Sequence, residues 1–255
     1  MRPHLLLIDA LNLIRRIHAA VKAPDDSSQV DGAISSTVSS LSRALHDSQP
    51  SHALVVFDGS PPTWRHELYP DYKSQRKPMP DVLYNRLGDF NHAFLQMGIK
   101  TFRRSGLEAD DVIASIACKA MEAGVAVTIL STDRSFQQLL TVPGIRLRDH
   151  FQKLDHTTET VCQQMGLKPE QLVDYWAMAG NGDIPGVHGV GNKGAAKLMQ
   201  ESGSLEHVFQ QQEPKGAAAK VCDQKDQALL SQRLAALATT LELGVRLKDL
   251  RYVRE

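Results

Sequence analysis

At 255 residues the chain is long enough for one large domain or two small ones around a real core. Hydrophobic residues make up 42% and charged residues 23%, as in an ordinary soluble protein, and 29 basic against 29 acidic residues argue mildly against binding nucleic acid through bulk charge. Aromatics, at 5%, are too sparse for a dominant single-strand stacking platform, and three distant cysteines, Cys118, Cys162 and Cys222, exclude a disulfide framework or a CxxC zinc site.

The run HLLLID (4–9) reads as a buried strand entering a loop and helix. It is broken by Asp9 and Asn12 and followed by Arg15-Arg16, unlike a secretion signal, and no run of about 18 apolar residues follows anywhere. A cytoplasmic protein, monomeric and without a membrane partner, is expected. Residues 23–30 read as a loop and 31–47 as a helix. ALVVFD (53–58) is the second strand. GSPPTWRHELYPDYKSQRKPMP (59–80) is a long, basic, Pro-rich loop, of the kind that is usually functional or mobile. A helix over 80–97, the strand IKTF (99–102), a helix over 109–123, the strand AVTILS (126–131), a helical turn over 133–140 and the strand IRLRD (145–149) complete the first part. Strands alternating with helices predict an α/β fold with a mostly parallel central sheet flanked by helices. From about 157 the pattern is helical with Gly-rich punctuation, ending in a helical stretch near 224–243. A division is expected near 155, with an α/β core over 1–155 and a helical region over 156–255.

The acids sit at informative places. Asp9 and Asp58 close the first two strands, and Asp133 follows the fourth by two residues. Ligands of open parallel sheets bind beyond the carboxyl ends of the strands, so these acids converge on one crevice. Glu108, Asp110 and Asp111 join them from the first turn of a helix. Singly, the three helix acids read equally as caps, and Asp9 and Asp58 as turn residues. Gathered together, six carboxylates repel one another, and oxygen-only ligands select Mg²⁺ or Mn²⁺ over zinc. Such ions serve phosphodiester hydrolysis.

Two further segments carry chemistry. PDYKSQR places Tyr72, Lys73 and Arg76 on the 59–80 loop, with Lys73 and Arg76 one turn apart on a shared face if this part is helical. Pro185-Gly-Val-His-Gly-Val-Gly191 reads as a turn between two helices, in which Gly189 and Gly191 allow close approach to a phosphate. The helix near Asn192, Lys193 and Gly194 then offers free N–H groups and charge. Trp64, Trp176 and the ten histidines read as packing or surface residues.

The blocks LLLIDALNLIRR, VVFDG, RHELYPDYKSQR, GLEADDVIASIA, ILSTDRSFQQLL and IPGVHGVGNKGAAKLM resemble, in order and over nearly the whole chain, the bacterial 5′-nuclease and flap-endonuclease family. The resemblance implies a PIN-like nuclease core followed by a helix–hairpin–helix element at about 172–200 that grips duplex DNA by its backbone. It implies a first Mg²⁺ site on Asp9, Asp58, Glu108, Asp110 and Asp111, with Asp110 the key catalytic acid, and an arch at 59–80 that admits a 5′ single strand. There Lys73 and Arg76 contact the scissile phosphate and Tyr72 can stack on an end base. It also implies K⁺ on backbone carbonyls near Met178, Ala179, Pro185, Val187 and Val190, with DNA held by Gly189, Val190, Gly191, Asn192, Lys193 and Gly194. The family's second metal site is depleted here. Asp133 remains, Ser135 stands where the family has Asp, and the shortened GNGDIPG leaves Asp183 aligned with neither expected acid. The implied activity is cleavage of 5′ flaps on branched duplex DNA, in replication or repair. A DNA-structure-binding protein with weakened catalysis and a PIN-like ribonuclease are the alternatives.

Overall fold

Leu5, Leu6, Leu7 and Ile8 are all fully buried, so the first strand, β1 (His4–Asp9), must lie between two covering layers. The computed structural model, which describes residues 3–253, places it inside a six-stranded sheet. After β1 come α1 (Ala10–Ala20), α2 (Asp26–Ser48), β2 (His52–Val56), α3 (Trp64–Leu68), α4 (Asp81–Asn85), α5 (Leu87–Gln96), β3 (Lys100–Phe102), α6 (Ala109–Glu122) and β4 (Ala126–Leu130). A 3-10 helix (Arg134–Thr141), β5 (Ile145–Asp149) and β6 (Leu154–His156) complete this part. The strand order is β3-β2-β1-β4-β5-β6, parallel except for the antiparallel β5–β6 pair. The chain runs outward from β1 to β3, then crosses back through α6 to β4 on the other side of β1. Two cores result. One packs α1, α2 and α5 on one face with Phe90 and Phe94; the other packs α6 on the opposite face with Ile113 and Phe136. This reversal opens a crevice at the carboxyl ends of β1 and β4.

The remainder is helical: α7 (Thr158–Met165), α8 (Leu172–Ala179), α9 (Asn192–Ser202), α10 (Leu205–Phe209), α11 (Ala217–Asp223) and α12 (Lys225–Ala235). It has its own core, with Trp176, Met178, Leu198 and Met199. Trp176 is therefore a packing residue. No helix among the described residues is long and apolar enough to cross a membrane.

The structure corrects several boundaries. The 23–30 loop ends early, because Asp25 accepts the Ser28 N–H at 2.9 Å and starts α2 at Asp26. The 80–97 helix is two helices meeting at Arg86, and β6 has no strand-like signal of its own. The last helix stops at Ala235 rather than near 243. Beyond it the chain runs back over α6: the Ser115 hydroxyl donates to the Ala238 carbonyl at 2.8 Å and accepts from the Leu241 N–H at 3.2 Å. Leu243 and Leu250 are buried in the α6 core, and Arg251 bridges to His52. The expected division near 155 is thus not clean, since the final segment belongs to the first core. The sequence reads there as helix because Leu237 and Leu241 are spaced four apart; burial against α6 overrides that periodicity.

This clamp predicts a measurable cost. Ser115→Ala leaves the half-buried Ala238 carbonyl and Leu241 amide short of a partner and should lower unfolding stability by about 1–3 kcal/mol in urea titrations. The Leu241 amide should also exchange faster with solvent.

Candidate active site

Five of the six predicted acids ring one crevice of about 750 Å³ at the carboxyl edge of the sheet: Asp9, Asp58, Glu108, Asp110 and Asp133. Local structure fixes each. Asp9 caps α1, accepting the Asn12 N–H at 3.1 Å, and its other oxygen accepts the Ser131 hydroxyl at 2.9 Å. Asp58, two residues beyond β2, accepts the Ala109 N–H at 3.1 Å and so fixes the start of α6. Glu108 and Asp110 flank that start. Asp133 accepts the Ser135 N–H at 2.8 Å and begins the 3-10 helix.

The acids are electrostatically crowded. Burial, then the charge of Asp58, pushes Asp9 up to about 7. Burial, followed by Asp133, Asp9 and Asp58, raises Asp110 well above the usual carboxylate range. Glu108 behaves oppositely: burial works against its charge, but Lys73 and Arg65 hold it below the usual range.

Asp111 does not belong to this group. Its carboxylate turns away from the crevice and is buried against Arg65, which donates from Nη1 at 2.7 Å and Nη2 at 3.0 Å. The Trp64 indole at 2.8 Å and the Ala238 N–H at 2.9 Å occupy the same oxygens. Adjacent residues in a helix's first turn point about 100° apart, and here Asp110 faces the crevice while Asp111 faces Arg65. Asp111 thus serves as the counter-ion of Arg65 and does not line the crevice.

Arg65 is the residue that sequence reasoning missed. It lies in the RHELYPDYKSQR block, yet only the fold shows its guanidinium to be buried, paired with both Glu108 and Asp111. It also donates to the Leu234 and Ala236 carbonyls at 2.9 and 3.1 Å and lies 4.4 Å from the centroid of the Trp64 ring.

The 59–80 segment is more ordered than a loop. It contains α3 and then successive turns closed by Tyr72, Ser74 and Arg76 N–H groups. Lys73 and Arg76 do not share a helical face. Lys73, at a left-handed φ of 61°, directs its ammonium onto Glu108, whereas Arg76 reaches across to Asp183, 2.6 Å from Nε to the carboxylate. Tyr72 is buried, edge-on to His66 with ring centroids 5.4 Å apart, so its ring is not laid open as a stacking surface. The small space between Arg76, Asp110 and Asp133 is also lined by Ser135 and Asp183. There the Ser135 hydroxyl is buried and has no hydrogen-bond partner among the described residues.

The 180–191 turn joins α8 to α9. Asn181 and Ile184 exchange backbone bonds at 3.1 Å, and the Val187 N–H donates to the Met178 carbonyl at 2.8 Å. Gly186 has φ 67°, and a Cβ there would lie 2.4 Å from the Gly180 nitrogen, so only glycine closes the turn. Gly191 precedes α9 without a side-chain cap, and Gly189, Gly191, Asn192 and Lys193 are exposed while Val190 is buried. Two buttresses were not foreseen: Lys220 donates to the Gly189 carbonyl at 3.1 Å, and Gln224 pairs with both backbone groups of His188 at 3.0 and 3.1 Å.

The five acids that ring the crevice offer oxygen donors, and their mutual repulsion is what a hard divalent cation relieves. Among the described residues no three acids, histidines or cysteines are gathered tightly enough to hold an ion by themselves. Water or phosphate oxygens would have to complete the coordination.

The fold and site define an acid-lined nuclease core joined to a helical hairpin. Residues 4–166 match the resolvase-like N-terminal domain of 5′-3′ exonucleases, and 167–255 match their C-terminal SAM fold. The chain therefore belongs to the 5′-3′ exonuclease family. Its relatives include the flap endonuclease Xni of Pectobacterium carotovorum, 43% identical over 98% of this chain and 95% of that protein. The Xni of Vibrio cholerae is 39% identical over 99% and 98%. Among solved structures, zinc-bound T5 5′-exonuclease superposes with a TM-score of 0.79 at 22% identity, covering 92% of this chain and 90% of that one. The catalytic core of Rad2 bound to DNA superposes at 0.59 and 14% identity, covering 95% and 82%.

Asp9 gives a pH-dependent prediction. Because its folded-state pKa is raised to about 7, its penalty on the metal-free protein is absent below the unfolded value and grows as pH rises to about 7. Asp9→Asn should therefore raise metal-free stability at pH near 8 by about 1–3 kcal/mol relative to wild type, with little gain near pH 4. Thermal scans at the two pH values check this.

Proposed function

We propose that this protein is a Mg²⁺-dependent flap endonuclease, with Mn²⁺ as a substitute ion, that hydrolyses phosphodiesters in 5′-flapped or branched duplex DNA. The single observation that carries the reading is the crevice itself: four crowded aspartates and Glu108 at the sheet's switch point, faced by the Lys73 ammonium. Asp9, Asp58, Glu108, Asp110 and Asp133 are the residues that would hold divalent ions, directly or through water. A bound ion would lower the pKa of an attacking water and neutralise charge on the scissile phosphate. Lys73, released from Glu108 as phosphate enters, stabilises developing negative charge, and Arg76 does so from the opposite side once free of Asp183. Arg65 stays in place and keeps Glu108 ionised.

Duplex DNA is held away from the chemistry. Gly189, Gly191, Asn192, Lys193 and Gly194 present N–H groups and charge at the start of α9, so a phosphate docks without base readout. K⁺ suits the carbonyls of Ala179, Pro185, Val187 and Val190, with Met178 a further donor. The Met178 and Val187 carbonyls each accept one N–H already, and a carbonyl has two lone pairs.

One observation favours a second reading, a DNA-structure-binding protein with weakened catalysis. Ser135 offers only a hydroxyl, and Asp183 is occupied by Arg76, so the second half of the metal site is poor.

A labelled 5′-flap duplex with Mg²⁺ and K⁺ decides between them. Cleavage should occur, Lys73→Ala should slow it about 10²–10³-fold, and Asp110→Ala should abolish it while leaving most binding intact. Intact binding without cleavage under any divalent ion would establish the second reading instead. Exchanging K⁺ for Li⁺ should weaken duplex binding with no loss in single-strand binding, measured by fluorescence anisotropy.

A further inference from the structure

Of the seven phenylalanines, Phe151 alone is exposed among the described residues. Its exposure is built. The buried Asp149 accepts the Phe151 and Gln152 N–H groups at 2.9 and 3.0 Å, fixing the β5–β6 turn. His150 is tied to α2 through the Ser40 hydroxyl at 2.8 Å. The ring is held partly outward by buried groups and belongs to none of the three hydrophobic cores, so its position calls for another use.

The surroundings specify what could meet it. Arg16 lines the acid crevice, hydrogen-bonds Thr132 at 3.1 Å, and lays its guanidinium 5.1 Å from the Phe151 ring centroid. On the far side, Phe151 borders a second cavity of about 530 Å³ whose wall includes Arg43, His150 and Lys153, with Asp47 its one carboxylate. Arg43 and Lys153 form no ion pair among the described residues. Lys153 takes a left-handed φ of 53°, unusual for a residue with a Cβ. A cation stacked on an exposed ring, flanked by unpaired cations, suits an unstacked base with phosphates on either side. Duplex DNA keeps its base faces covered and could use only the cations.

We propose that Arg16, Phe151, Arg43 and Lys153 form a track along the β5 edge of the crevice that holds single-stranded DNA contiguous with the cleavage site. The proposal rests on the flap-nuclease reading and adds where the unpaired strand lies.

The test is binding without divalent ions, by anisotropy, to one duplex carrying no 5′ tail or a tail of about 5 or about 15 nucleotides. Wild-type affinity should rise with tail length. Phe151→Ala, and separately the pair Arg43→Glu with Lys153→Glu, should remove about 5- to 10-fold of the gain on the longest tail, leaving untailed duplex unchanged. All three positions are exposed, and unchanged untailed binding confirms folding. A tail-dependent gain that survives in both variants overturns the track, as does an equal loss on the untailed duplex, which would mean the patch holds duplex. Wild type that binds none of the duplexes would instead overturn the flap-nuclease reading, and the track with it.

Discussion

The site depends on one buried guanidinium. Arg65 joins Glu108 and Asp111, on either side of the first turn of α6, to the carbonyls that end α12. A cation taken from water at this depth is tolerable because its N–H groups meet carboxylates and carbonyls; removing one side of such a pair costs about 3–5 kcal/mol. The same contact decides which acids are free for chemistry. Asp111 is consumed by it, Glu108 is held ionised by it, and Asp110, between them, is left to face the crevice. Arg65 also comes from the segment that carries Lys73 and Arg76, so the 59–80 segment, the acid cluster and the helical region are fastened at one point.

The acids that Arg65 does not reach are under strain of a different kind. Asp9, buried, and Asp110, half-buried, stand beside other carboxylates and hold their protons more tightly than free aspartates do. Lys73 sits opposite in a left-handed conformation, on Glu108. The crevice thus has excess negative charge on one wall and a cation poised on the other, a distribution that divalent ions and a phosphate would even out. At the Asp133 end of the crevice the Ser135 hydroxyl has no hydrogen-bond partner among the described residues, and Asp183, which borders the same small space, is bound to Arg76.

Much of this was legible from local pattern. The strands at 4–9, 99–102 and 145–149, the helix at 109–123 and the turn before Asn192 follow from apolar runs, capping residues and glycines, each of which acts within a few residues. The α/β class, the acid-lined edge and the family followed from these. Local pattern did not reveal β6 or the break at Arg86, which carry no distinct signal of their own, nor the return of residues 236–250 over the α6 core, which is decided by partners far away in the chain. The helical spacing of Leu237 and Leu241 was real but was answered by a groove rather than a helix.

The sequence by itself determined where carboxylates would stand, since a strand end and a helix start place residues by counting. Direction was another matter. Whether a carboxylate in the first turn of α6 faces solvent, metal or a buried arginine depends on an angle of about 100° per residue and on what packs there. Tertiary structure alone sent Asp110 into the crevice and Asp111 to Arg65, separated Lys73 from Arg76, buried Tyr72 and left Phe151 exposed, because each outcome depends on residues that become neighbours only when the chain is folded.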